Sequence, residues 1–261
     1  MIRTNLHTHT PRCKHAEGTA AEYCRFAARM GLTRLGFSEH APFPGNNFAP
    51  KTHPRFEELP DYRAELTQAA RDFPALTVLA GLECEYVPSL GHNYFLELKE
   101  QYRLDYLIGS LHYILTDSQV ISLHDHAPSP AELRWLVDAT IDLIQCGHYL
   151  FIAHPDMMFM HQPWNAGFEA AAREIIAALK ATGVPAEING CGCHKPPVTE
   201  PDNTIRPPYP RREFWDIAAE YGIRVVVNAD AHLPQNLLHL RDVESFAARY
   251  GLPVVNDDLL N

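Results

Sequence analysis

The chain has 261 residues, 46 % apolar and 21 % charged, with a net charge of −10. That balance suits a globular chain with a sizeable core and excludes a disordered one; no basic run stands out, which argues against a nucleic-acid partner held by phosphate contacts. Six cysteines are too few for a disulfide scaffold at this length. The opening MIRTNLHTHT lacks an apolar signal region, and no apolar run approaches the ~18 residues of a membrane span. A soluble, reduced, cytoplasmic protein is therefore expected. One count is out of line: 15 histidines.

In chain order, Ile2–His7 reads as a strand. Thr19 and Glu22 form a capping box before a helix carrying Tyr23, Phe26, Ala27 and Met30 on one face, closed by Gly31. Leu32–Ser38 is the next strand, followed by a Pro- and Asn-rich loop, Ala41–Pro54. A helix is predicted over Pro60–Phe73, and strands over Leu76–Leu82 and Leu104–Leu111. Ser129 and Glu132 form a second capping box, with Pro130 at the first helical position, before a helix ending near Gly147. Tyr149–Ala153 is a strand, and Phe168 to Leu179 give the cleanest helical stripe, stopped by Gly183. After the strand Val184–Ile188 comes a long Pro-rich loop, Gly190–Pro210. A helix around Phe214–Tyr221, the apolar strand Ile223–Asn228, a helix over Leu237–Tyr250 and a short Leu252–Val255 segment close the chain. Alternating strands and helices imply an α/β fold with a parallel sheet, open or closed into a barrel. Seven strands are well signalled, and no linker divides residues 1–261, so a single domain is expected.

The polar residues gather where the strands end. His7 and His9 end the first, Glu39 and His40 the second, Glu83 and Glu85 the third. His112 ends the fourth and His154 the fifth; Glu187 and Asn189 end the sixth, and Asp230 and His232 the seventh. Ligands of parallel α/β folds bind at the carboxyl ends of the strands. Residues two apart on a strand share a face, so His7 and His9 can hold one ion, and Asp230 with His232 can serve one ion or two neighbouring ions. With His15 in the following loop, seven histidines and two carboxylates exceed the needs of one ion, and two or three divalent ions (Zn, Mn or Fe) are implied. His124 and His126 are read as loop residues, and His53, His92, His148, His161 and His239 as ordinary structural histidines. Cys191, Cys193 and His194 lack a second ligand pair and are read as free thiols beside a rim loop.

These residues resemble the PHP (polymerase and histidinol phosphatase) superfamily: HTH at 7–9, His15, SEH at 38–40, GLECEY at 81–86, GSLHY at 109–113, AHPD at 153–156 and NADAH at 228–232. EIN at 187–189, Lys195 and PYP at 208–210 are most similar to histidinol-phosphatases. The resemblance implies a distorted (β/α)7 TIM-like barrel with its metal site at the C-terminal strand ends. It also implies three metal positions: His7, His9, Glu83 and Asp230; Glu83, His112 and His154; and His15, His40 and His232. The function it implies is hydrolysis of L-histidinol phosphate by metal-activated water, with Asp230, Glu83 and His232 as catalytic residues. Lys195, Arg206, Asp156, Asn189 and Tyr209 are the candidate substrate-binding residues; Glu17, Glu85, Phe43 and Phe48 are further candidates for the ammonium and imidazole of histidinol. The competing readings are action on another monoester, a phosphodiester or single-stranded nucleic acid, and a metal-binding protein without turnover. Where the family usually has a serine the chain has Asn228, and GCGCHKP follows Asn189.

Overall fold

The computed structural model describes residues 2–46, 48–49, 51–115 and 119–260; Asn47 and Pro50 of the expected Ala41–Pro54 loop lie outside the described residues. In chain order the elements are β1 (Thr4–Asn5), α1 (Ala20–Met30), β2 (Arg34–His40), α2 (Leu59–Asp72), β3 (Thr77–Glu85), α3 (Asn93–Tyr102), β4 (Tyr106–Ser110), β5 (Tyr113–Leu115), β6 (Val120–Ser122), α4 (Pro130–Gln145), α5 (Ala166–Thr182), β7 (Ala186–Asn189), β8 (Val198–Thr199), β9 (Ile205–Arg206), α6 (Arg212–Tyr221), β10 (Val225–Asn228) and α7 (His239–Tyr250). Both expected capping boxes are formed: the Glu22 carboxylate accepts from Thr19 N at 2.7 Å, and that of Glu132 from Ser129 N at 2.7 Å. Gly31 and Gly183 close α1 and α5 at φ 81° and 74°, a region that costs glycine nothing.

The fold is mixed α/β, with a parallel sheet curled around an interior cluster. One ladder runs β1-β2-β3-β4 and another joins β7 to β10. Single parallel bridges connect Gly109 to Ile152, Ile152 to Ala186, and Thr8 to Ala231. The expected strand Tyr149–Ala153 is thus reduced to one bridge at Ile152, and the closing Leu252–Val255 segment to a bridge from Val254 to Val225. The barrel expected from the resemblance is seen as two ladders joined by bridges. Helix α3 and the β5–β6 hairpin were not signalled. Neither has a capping box, and α3 begins on His92, whose side chain makes no cap bond.

Apolar residues form two layers. The larger lies between the sheet and the helices and includes Phe37, Leu82, Ile175 and Trp215. The smaller fills the inside of the curl with Leu6, Tyr106, Ile108, Phe151 and Val226. Tyr106 spans that interior and donates from its hydroxyl to Leu6 O at 2.8 Å. Its ring lies over Gly81, where a Cβ would approach to 2.6 Å, so glycine is what admits it. This floor closes the inside of the curl and leaves the strand ends as the open face. Among the described residues no helix is long and apolar enough to cross a membrane.

Candidate metal centre

Register brings the strand-end residues together. His40 on β2 pairs directly with Glu83 on β3. The bridge from Thr8 to Ala231 sets the flanking pairs His7/His9 and Asp230/His232 side by side, and His9 N donates to Ala231 O at 2.9 Å. His112 lies two residues past β4, and His154 two past the Ile152 bridge. His154 and Asp230 both adopt positive φ, 29° and 49°. Left-handed backbone at non-glycine residues costs roughly 1–3 kcal/mol and clusters at functional sites.

Glu83 is the hub. Its Oε2 lies 3.5 Å from His7 Nε2, 3.5 Å from His9 Nε2 and 3.1 Å from His40 Nδ1. Its Oε1 lies 3.0 Å from His154 Nε2 and 3.6 Å from His112 Nε2. Asp230 Oδ1 is 3.2 Å from His9 Nε2 and 3.6 Å from His7 Nε2. The His232 ring stacks on His9 at 4.4 Å and on His15 at 4.7 Å, and His15 lies 5.9 Å from His40.

A second layer of carboxylates orients the rings. Glu187 Oε1 accepts from His7 Nδ1 at 2.8 Å, Glu39 lies 3.5 Å from His9 Nδ1, and Glu85 accepts from His112 Nδ1. A carboxylate on one ring nitrogen leaves the other as a lone pair aimed at an ion. Burial opposes charge on His9, but the carboxylates of Asp230 and Glu39 beside it lift it to about 9. Burial likewise opposes ionisation of Glu83, and the imidazoles of His112, His7 and His40 overcome it and hold the carboxyl well below its usual range. Burial pushes Glu85 up to about 8. His232 falls to about 3, from burial and then the charge on His9.

The donor set fits divalent ions. His7 Nε2, His40 Nδ1, Glu83 Oε2, Asp230 Oδ1 and His232 Nε2 are buried polar atoms without a hydrogen-bond partner, an arrangement that is costly unless something else satisfies them. Nitrogen and oxygen donors in this mixture suit Zn, Mn or Fe. Four overlapping groups have ligand atoms close enough to share an ion: His7–His9–Asp230, His7–Glu83–His154, His9–His40–Glu83 and His9–Cys13–His232. The first three draw on residues of the expected ligand set, but only His7–His9–Asp230 falls within one expected position; the other two combine residues of different positions. Cys13 was not expected, because nothing in the spacing marks a lone cysteine in a loop.

A cavity of about 440 Å³ opens onto the cluster. Lys195 and Tyr209, two of the candidate substrate-binding residues, line it, as do Lys51, Thr52, Tyr113, His124 and Cys191, which were not singled out for it. His124 follows β6 in a turn, as expected of a loop residue, and its ring lies over that of His112. Three expected substrate contacts lie elsewhere. The Arg206 guanidinium is bound by Glu200 and donates to Met160 O at 3.0 Å, bracing the loop. Asp156 is buried and accepts from Trp215 Nε1 at 2.9 Å and from Arg211 N at 2.5 Å. Asn189 lies beneath the centre, donating to Glu187 at 2.8 Å and Asp230 at 3.2 Å. Glu85 is turned to His112, and Phe43 and Phe48 pack around His53. His126 pairs with Glu132, as a loop residue would, and all six cysteines are free.

The PHP domain family matches residues 5–190. A probable histidinol-phosphatase of Deinococcus radiodurans is 30 % identical over 236 residues, covering 87 % of this chain and 85 % of that protein. The histidinol-phosphatase of Bacillus subtilis is 30 % identical over 131 residues, 47 % of this chain and 48 % of its own. A Lactococcus lactis histidinol phosphate phosphatase, solved in complex with zinc, L-histidinol and phosphate, has a fold similar to this one, with a TM-score of 0.69 at 17 % identity over 96 % of this chain and 94 % of that one. With the family matched over well more than half its length, this chain belongs to the PHP domain family.

Proposed function

We propose that the protein is a metal-dependent phosphomonoesterase of the histidinol-phosphatase type, releasing phosphate from L-histidinol phosphate. The observation that carries the reading is Glu83, a buried carboxylate with five imidazole nitrogens within 3.6 Å. Relatives named as histidinol-phosphatases support the choice of substrate. In this reading His7, His9, Asp230 and Glu83 would hold one ion, His112 and His154 with Glu83 a second, and His15, His40 and His232 a third. Bound divalent ions supply Lewis-acid neutralisation of phosphate oxygens and acidify a water for in-line attack.

The chain's own groups do the rest. Glu187, Glu39 and Glu85 fix the tautomers of His7, His9 and His112, so the donor atoms need not reorganise as charge develops. Asn189 donates to Asp230 Oδ2 and leaves Oδ1 directed at the histidines. The Lys195 ammonium lining the cavity attracts a phosphate dianion, and Tyr209 forms a wall for the alcohol portion. The ladders and bridges together are taken as a distorted (β/α)7 barrel, one domain over 1–261. A cytoplasmic location goes with this reading and with six unpaired thiols.

The test combines elemental analysis with a screen of phosphorylated metabolites. More than one transition ion per chain is expected, and phosphate should be released faster from histidinol phosphate than from other small monoesters. A preference for another ester, or for single-stranded DNA, would replace the substrate assignment.

A further inference from the structure

Among the described residues, His124 is the one histidine lining the cavity that stands outside the assigned ligand set. Its backbone is held on every side. Leu123 N donates to His112 O at 2.8 Å, Leu123 O accepts from His161 Nε2 at 2.8 Å, and His124 N donates to Ser122 Oγ at 3.2 Å. The Leu123 side chain is buried. The His124 ring lies over the His112 ring, with centroids 6.0 Å apart and planes 27° from parallel. Its nitrogens bond to no other protein group among the described residues. Lys195 reaches the same cavity from the separate 190–210 loop. A side chain on a pinned backbone that lines a cavity and whose ring nitrogens bond no protein group is preorganised for a ligand.

We propose that His124 is a phosphate-binding residue: its ring and the Lys195 ammonium, carried by two different loops, grip the oxygens of a phosphate seated over the ligand cluster. The choice of anion rests on the phosphatase reading; the placement of the ring does not. Imidazole supplies one directed N–H, and lysine a mobile point charge, so the pair fixes orientation as well as attraction. The β5–β6 hairpin thereby acquires a purpose, since it is what carries the ring over His112.

Inorganic phosphate titrated calorimetrically into the metal-loaded protein tests this, with metal content measured on the same samples. His124→Leu and Lys195→Met should each weaken phosphate binding about tenfold, the loss expected for one hydrogen bond to a charged group, with ions per chain unchanged. His124→Gln keeps a donor and should retain most of the affinity. In turnover, His124→Leu should raise KM more than it lowers kcat. Unchanged phosphate affinity in His124→Leu overturns the proposal, as does a wild-type protein that binds no phosphate. Loss of metal from that variant also overturns it, because the ring would then be a brace for His112. If wild-type protein binds phosphate but hydrolyses no monoester, the functional reading falls and this one stands; if turnover persists while phosphate affinity ignores His124, the reverse holds.

Discussion

Glu83 and Glu85 stand two residues apart on β3, both buried, both facing imidazoles, yet their surroundings drive them in opposite directions. Around Glu83, the rings of His112, His7 and His40 overcome burial and keep the carboxyl ionised. Glu85 has burial against it and bonds mainly to the backbone and ring of His112, and it rises to about 8. The same contrast separates the centre from its outer layer: inner groups present lone pairs to a shared point, and outer groups hold the inner ones in orientation. Residue type and strand position do not distinguish the two; the number and direction of neighbours do.

The contrast can be broken most severely at Glu83. Glu83→Gln should strip metal and reduce phosphate release by well over ~100-fold, beyond the range seen for outer-layer partners. Elemental analysis and a phosphate-release assay check both; near wild-type turnover would remove Glu83 from the hub. Changing the outer layer should cost less. Glu187→Gln should weaken metal affinity roughly 10–100-fold, measured by chelator competition, without unfolding the chain.

A third prediction concerns protons. His9 titrates near 9, so below that pH a proton must leave before its Nε2 can bind an ion. Metal loading at neutral pH should release protons into weak buffer, read with an indicator dye, and apparent metal affinity should climb as pH rises through about 9. For the metal-free fold the sign is opposite: protonated His9 adds stability that is complete below the unfolded value of 6.5 and lost as pH rises through about 9. Thermal melts of metal-free protein across that window should show the decline. The smallest effect is expected at Arg206, whose guanidinium braces its own loop. Arg206→Ala should lower stability by about 1 kcal/mol, the scale of a partly exposed ion pair, while kcat/KM stays within about twofold of wild type.

The clustering of the candidate ligands was legible because parallel strands end at one rim and a two-residue spacing keeps side chains on one face. Those rules place His7, His9, Asp230 and His232 together without knowledge of any contact. The two capping boxes were legible for the same reason, being local. Lys195 and Arg206 show the limit. Both are cations on one Pro-rich loop, and the chain alone does not say that Glu200 occupies one while the other faces the cavity.

Sequence by itself therefore determined that the strand-end histidines and acids gather at one end of the sheet, since backbone periodicity carries that information over a few residues. Tertiary structure alone decided which nitrogen of each ring points inward, which acids stand behind, and that the hairpin directly after His112 turns His124 back over it. Those outcomes depend on packing between segments, where side-chain direction follows from neighbours that no local pattern encodes.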